Sequence, residues 1–263
     1  DQTALTSAVK SAEAKVVAPF VTTDPREIMS RNDVDAVIVT AGNHWHALLS
    51  VWACQAGKDV YCEKPMTHTV WEGRKMIEAA QKYGRIVQVG TQYRSEKGLA
   101  EGIKFIHSGQ LGKLKYVHAV YYGMRGSIGR RNPWYPTNLN YDLFCGPAPM
   151  APLERDKLHY DWHWSWDTGN GELGNNGVHI LDAALRIVQS DAPARRVIGI
   201  GGRYLNQDAA DTPNSQIAVY DFPNAPVIYE GRALTAKPGV GFMDAVAGIR
   251  VGVIAYCEGG YLT

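Results

Sequence analysis

Glu63-Lys64-Pro65 sets an acid, a base and a proline in consecutive positions. The triplet closes the run Lys58-Asp-Val-Tyr-Cys-Glu-Lys-Pro-Met-Thr67, which reads as a short buried strand ending in charge. Ligands of open α/β sheets sit outside the carboxyl ends of the strands, so a lysine there can meet a substrate. Partial desolvation lowers an ammonium pKa into a useful range. Pro65 stiffens the chain after the lysine and removes a donor. The plain alternative is a solvated Glu–Lys pair before a turn. His44-Trp45-His46 offers two imidazoles, and His159 and His163 stand four apart. A two-histidine pair needs a third ligand, nothing else in the chain supports one, and no metal is expected. Trp162-His-Trp-Ser-Trp166 alternates aromatics with period two, which suits either a core-facing strand or a platform for stacking a sugar ring. Arg125, Arg130 and Arg131 lie in the same aromatic stretch and either read an acid group or a phosphate, or are solvated.

The elements that must position these residues follow from apolar runs and their punctuation. Asp24-Pro25 caps a short helix. Val34-Asp-Ala-Val-Ile-Val-Thr40 is a strand whose continuous apolar run suits a sheet covered on both faces. Ala41-Gly-Asn-His-Trp-His46 is the loop at its carboxyl end, and a helix runs from about 46 to 56, stopped by Gly57. The 59–62 strand, a helix over 70–83 stopped by Gly84, and an 85–90 strand complete a parallel βαβ pattern. Ala-rich residues 1–15 read as a further helix, and 96–107 as another. After Gly109-Gln-Leu-Gly112 the texture changes, and a domain boundary is placed near residue 112, giving domains 1–112 and 113–263. Residues 113–122 alternate like an antiparallel strand, and 123–171 form a long aromatic, Gly- and Pro-rich stretch. A helix over 177–188 and strands over 197–204, 215–221, 225–233 and 249–256 make the second half one helix against a mostly antiparallel open sheet.

Composition sets outer limits. With 263 residues and 45% hydrophobic content, two ordinary domains can each bury a core. A formal net charge of +1 argues against a general nucleic-acid or anionic-membrane binder. No run of about twenty apolar residues predicts a membrane span. Cys54, Cys62, Cys145 and Cys257 form no C-x-x-C pair and read as free thiols. A dinucleotide-binding domain needs a first strand and a G-x-G-x-x-G turn, and none stands before residue 41; Gly239-Val-Gly241 lies outside any βα context.

Six segments in order resemble the Gfo/Idh/MocA oxidoreductases. Val34-Asp-Ala-Val-Ile-Val39 resembles the family's fourth Rossmann strand, and Ala41–His46 its T-P-x-x-x-H loop. Glu63-Lys-Pro65 matches E-K-P, and Gly90-Thr-Gln-Tyr-Arg94 resembles G-x-N-x-R. Gly109–Gly112 resembles the entry to the second domain. Gly169-Asn-Gly-Glu-Leu-Gly-Asn-Asn-Gly-Val-His179 with Asp182 resembles G-G-G-x-L-x-D-x-G-x-H-x-x-D. The resemblance implies an α/β protein: a Rossmann-type parallel sheet, here lacking its N-terminal strands, then an α+β domain with a mostly antiparallel open sheet. By that template the chain starts after the Gly-rich turn and stops before the last helices. The template also makes Glu63-Lys64-Pro65 one wall of an interdomain cleft.

The implied activity is NAD- or NADP-dependent hydride transfer at a secondary alcohol of a small carbohydrate or polyol. His179 suits the base, Lys64 the positive group at the developing oxyanion, and Asn175 stands where the family has an aspartate, able to orient but not to carry charge. Ala41, Asn43, His46, Glu63, Lys64 and Gln92 are the expected cofactor contacts; Arg94, Trp162 and Asp182 the expected substrate contacts. Asp182 follows His179 by three residues, on one helix face. Two alternatives remain: transient use of bound NAD to cleave a glycoside, and a non-catalytic sugar-binding relative. The expected partners are a small carbohydrate or polyol and further copies of the chain, as a dimer or tetramer through the C-terminal sheet, with no nucleic acid or membrane. The compartment is cytoplasmic by default, with export open.

Overall fold

The computed structural model describes residue 7, residues 19–235, residue 237 and residues 243–263. The helix expected over 1–15, apart from residue 7, and Gly239-Val-Gly241 lie outside the described residues. Two compact units form: one of Asp1–Gly90, Gly129–Trp162 and Asp167–Gly169, the other of Thr91–Ile128, His163–Trp166 and Asn170–Thr263. Among the described residues no helix is long and apolar enough to cross a membrane.

In the first unit, helix α1 (Pro25–Met29) precedes strand β1 (Ala36–Val39), helix α2 (Asn43–Gln55), strand β2 (Asp59–Glu63), helix α3 (Val70–Tyr83) and strand β3 (Val87–Gly90). The three strands are parallel in the order β1-β2-β3, so their carboxyl ends lie along one rim. Ala53, Cys54 and Cys62 are fully buried and Met76 nearly so, forming the core between sheet and helices. Burying Met76 contributes about 1.5–3 kcal/mol. Helix α3 is delimited as its sequence demands: a Thr69/Glu72 capping box opens it and Gly84, left-handed at φ 61°, closes it. The apolar run around β1 is not covered on both faces by the described residues, since Ile38 is 72% exposed. Helix α2 begins at Asn43, three residues earlier than expected, because Gly42 already turns the chain from extended backbone into the helix. Asn43, His44 and Trp45 therefore sit in its first turn and not in a loop.

In the second unit, helix α4 (Lys97–His107), strand β4 (Leu114–Tyr122), helix α6 (Val178–Val188) and strands β5 (Val197–Gly202), β6 (Ser215–Tyr220), β7 (Val227–Arg232), β8 (Val251–Cys257) and β9 (Gly260–Leu262) build the fold; α5 (Tyr141–Cys145) belongs to the first unit. The sheet order is β5-β6-β7-β4-β8-β9, with β4–β7 parallel and the other pairs antiparallel. Helix α4 packs here and not with the Rossmann strands, because Ile103 and Ile106 join Val117, Ile180, Ala184, Ile187 and Val227 in one core. The chain first passes from the first unit to the second at Gly90–Thr91. The other sheet face carries Ile198, Ile200, Ile217 and Val219, all exposed.

The 123–171 stretch is not one loop. It contains α5 and a bridge between Trp134 and Leu153. The Trp162–Trp166 run is not a strand. Residues Asp161–Trp164 form a 3-10 turn, so the alternating tryptophans share no face: Trp164 is buried and Trp166 is half exposed.

Candidate active site

In the first unit the ends of β1 and β2 are tied together by one side chain. His46, 1% exposed, sets Nδ1 2.7 Å from the carbonyl oxygen of Pro65 and Nε2 3.0 Å from that of Ala41. Its own carbonyl accepts from Ser50 Oγ at 2.7 Å, as a turn of α2 closes over it. Lys64 thus lies between the end of β2 and a clasped residue, Pro65, with the Lys64–Pro65 bond cis. The Lys64 backbone N–H donates to Glu63 Oε2 at 3.3 Å. Lys64 and Glu63 are partly buried, Asn43 is buried, and Ala41 is exposed at the rim.

His44 makes a second clasp of the same kind. Nδ1 lies 3.1 Å from the Thr168 carbonyl and Nε2 3.0 Å from that of Phe144, to which Trp45 Nε1 also donates at 3.1 Å. These contacts bring residues 129–162 and 167–169 back onto α2. Trp162 comes with them: its carbonyl accepts from Thr168 Oγ1 at 2.7 Å. A Cβ on Gly42 would stand 2.7 Å from His44 Cε1 and 3.7 Å from Trp162 Cδ2, so the rim accepts only glycine there without displacing the clasp. His68 Nε2 adds a contact at 3.2 Å to the Gly169 carbonyl. Burial lowers the pKa of both His44 and His46, against the pull of the two carbonyls each faces. Desolvation wins because both rings are almost wholly enclosed. With both nitrogens of His44 and His46 facing carbonyls, these imidazoles shape the rim. Among the described residues no group of three or more His, Cys, Asp or Glu could hold a metal.

In the second unit, the turn after β3 docks on the start of α6. The 3-10 turn Gln92–Ser95 lays the Tyr93 ring against the His179 imidazole, with centroids 5.0 Å apart and planes at 28°. The next residue, Arg94, forms a bidentate pair with Asp182, at 2.9 Å from Nε and 2.6 Å from Nη2. That pairing raises the Arg94 pKa through the Asp182 hydrogen bond. Arg94 and Asp182, both expected to meet substrate, meet each other, and Gln92 is exposed beside them. Ahead of α6 the chain widens into a π-helical turn, Leu173–Gly177, a geometry frequent at functional sites. Asn175, 6% exposed, lies in that turn, and its Nδ2 reaches Glu172 Oε1 at 3.4 Å.

Lys64, Glu63, Ala41, Asn43, His46 and Trp162 therefore gather in the first unit, and His179, Asn175, Asp182, Arg94 and Gln92 in the second. Tyr93, Glu172 and Thr168, which the sequence reading did not single out, touch candidate residues: Tyr93 His179, Glu172 Asn175, and Thr168 Trp162. Tyr93 carried a usable signal, an aromatic beside Arg94 after a strand.

A family model described as an oxidoreductase family with NAD-binding Rossmann fold matches residues 3–91, and one for the same family's C-terminal alpha/beta domain matches residues 117–247. An inositol 2-dehydrogenase of Salmonella paratyphi B is 40% identical over 100 residues, covering 38% of this chain and 30% of that protein. A levoglucosan dehydrogenase of Pseudarthrobacter phenanthrenivorans is 25% identical over 231 residues, covering 85% of this chain and 52% of that protein. The chain thus spans about half or less of the length of these curated relatives. The WlbA dehydrogenase of Bordetella pertussis, solved with NADH and UDP-GlcNAcA, superposes with a TM-score of 0.65 at 20% identity, covering 89% of this chain and 58% of that one, which shows a shared fold. With a parallel strand rim ending in Glu63-Lys64-Pro65, a mixed open sheet behind His179 and both family models matched in order, the chain belongs to the Gfo/Idh/MocA oxidoreductase family.

Proposed function

We propose that this chain carries the active-site residues of an NAD(P)-dependent oxidoreductase that interconverts a secondary alcohol and a ketone on a small sugar or polyol. The observation that carries the reading is the placement of Lys64 at the carboxyl end of β2, between Glu63 and a Pro65 carbonyl held by His46. A structural lysine has no need of such a rim position; a ligand-facing one does.

Oxidation of a secondary alcohol takes a proton from oxygen and a hydride from carbon. A nicotinamide cofactor, when bound, supplies the hydride acceptor. The rim fits such a group on one count visible here: α2 begins at Asn43, right after β1, so the positive end of its dipole lies at the strand end. Ala41, Asn43, Glu63 and Lys64 would line it, with His46 holding the two loops in place and Gln92 leading out of β3. The remaining roles fall to side chains. His179 takes the hydroxyl proton, its ring fixed by the Tyr93 stack. The Lys64 ammonium stabilises charge on the oxygen. Asn175 orients the hydroxyl, and Trp162 offers an apolar ring to the C–H face of a sugar. The inositol and levoglucosan dehydrogenases among the relatives support a polyol or sugar as substrate. The exposed Ile198, Ile200, Ile217 and Val219 support pairing of two copies through the open sheet face.

The test is fluorescence titration with NADH and NADPH, followed by NADH or NADPH formation with inositol and levoglucosan. Saturable binding and net reduction of the cofactor are expected. Absence of binding sinks the reading; cofactor reduction without net accumulation, coupled to glycoside cleavage, replaces it.

A further inference from the structure

The first unit holds a cavity of about 390 Å³. Small-molecule sites begin at roughly 300 Å³, so it is large enough for a ring-sized ligand. The Thr23 hydroxyl and the amides of Asn138 and Asn140 give it polar lining, and Leu139 and Phe144 give it apolar lining. Ala41, Asn43, Glu63 and Lys64 are not in its wall, so it stands apart from the reacting rim. The two are nonetheless fastened together. The Phe144 ring stacks on Tyr141, with centroids 5.9 Å apart and planes at 10°, and meets the His44 ring edge-on at 5.9 Å. His44 lies in the first turn of α2 and its Nε2 faces the Phe144 carbonyl, so the cavity wall hangs on the turn that carries Asn43. A strained turn sets the opposite wall. The Asp161 N–H donates to the His159 carbonyl at 2.8 Å across Tyr160, whose φ is 63°. A γ-turn of this hand is rare for a tyrosine, and such strain gathers at ligand sites. It sends His159 to the cavity and Trp162 to the rim beside Gly42.

The lining selects the ligand. Among the described residues it contains no lysine or arginine, the groups that hold a phosphate or carboxylate. It offers amides and a hydroxyl beside an aromatic ring instead. Asn140 Oδ1 accepts from the Leu143 N–H at 2.9 Å, which pins the amide and leaves its amino end as the donor. Hydrogen bonds for ring hydroxyls next to an apolar surface for the C–H face suit a neutral sugar ring. We propose that this cavity is a subsite for a second, non-reacting sugar ring. The chain would then act on a two-ring glycoside, with the reacting ring at the Lys64 rim and its neighbour held by Asn138, Asn140 and Phe144. The placement of the reacting ring rests on the oxidoreductase reading; the subsite itself does not.

The experiment is isothermal titration calorimetry of the whole chain with maltose, cellobiose, lactose and glucose. It is repeated on Asn138→Ala and Leu139→Trp, with NADH binding followed by fluorescence on the same samples. Circular dichroism checks folding; Asn138 is exposed, so Asn138→Ala decides the matter if Leu139→Trp does not fold. At least one disaccharide is expected to bind about tenfold tighter than glucose, the worth of one to two neutral hydrogen bonds. Asn138→Ala is expected to cut that preference about 2- to 12-fold, the worth of one such bond. Leu139→Trp fills the cavity and is expected to abolish the preference while NADH affinity stays unchanged. Disaccharides that all bind no tighter than glucose overturn the proposal, as does a preference that survives both variants. A loss of NADH affinity in Leu139→Trp also overturns it, because the cavity then serves the cofactor. A chain that prefers a disaccharide yet binds no nicotinamide cofactor sinks the oxidoreductase reading and leaves the subsite standing.

Discussion

The two histidine clasps make a sharp prediction about acid stability. His44 and His46 each face two carbonyl oxygens, yet a neutral imidazole has one N–H. Protonation would satisfy both carbonyls, but burial opposes the charge more strongly, and both pKa values fall below the ordinary value. In the unfolded chain these rings protonate as pH drops through about 6.5. The folded chain resists until the lowered values are reached. The unfolded state then binds more protons, so stability is complete above the unfolded pKa and declines as pH falls below it. Each ring contributes a slope of at most about 1.4 kcal/mol per pH unit, about 2.7 kcal/mol for the two. The assay is the urea midpoint followed by tryptophan fluorescence, to which Trp45 and Trp52 beside the clasps contribute, at about pH 7.5 and about pH 5, which bracket the ordinary histidine pKa of about 6.5. His44→Gln with His46→Gln keeps hydrogen-bonding capacity and removes the titration, and its midpoint is expected to be less steep in pH. His118, also lowered mainly by burial, belongs to the second unit and titrates in the second unit's transition. Equal acid sensitivity in the wild type and the double glutamine variant would refute the assignment of the acid limb to these rings.

The remaining predictions concern the second unit. Tyr93→Ala removes the ring stacked on His179, and kcat is expected to fall by about 2- to 12-fold, the worth of an aromatic pair, while Tyr93→Phe stays near wild type; steady-state kinetics on the two variants checks this. Ile200, 73% exposed on the open sheet face, is expected to lie in the contact between copies, so that Ile200→Lys shifts the chain to monomer in sedimentation velocity without lowering its urea midpoint.

The parts of the fold that were legible in the sequence are those written locally. Apolar runs bounded by Gly57 and Gly84 announce β2 and α3, and the end of the β2 run puts Lys64 at the carboxyl rim. What the sequence concealed depends on partners brought from afar. Arg94 and Asp182 are each expected at the substrate, and nothing local in the sequence announces that they also pair with one another across 88 residues. His44 offered a metal ligand until carbonyls 100 and 124 residues away took both its nitrogens. Period-two tryptophans over 162–166 resembled a strand, yet among the described residues no strand pairs with them, and the chain takes a 3-10 turn over Asp161–Trp164 instead. Helix α4 followed the Rossmann pattern in order but carried Ile103 and Ile106 on the face that fits the second core. The π turn at Leu173–Gly177 left no local signal, because its extra residue is held by Glu172 and the packing against Tyr229.

The central claim is that the β2 rim lysine serves chemistry and not folding. Lys64→Ala, measured for NADH affinity by fluorescence and for turnover with inositol or levoglucosan, tests it most directly. The account predicts an unchanged urea midpoint, NADH binding within a few-fold of wild type, and turnover reduced by roughly 10²- to 10⁴-fold. Turnover at the wild-type rate in Lys64→Ala would contradict it.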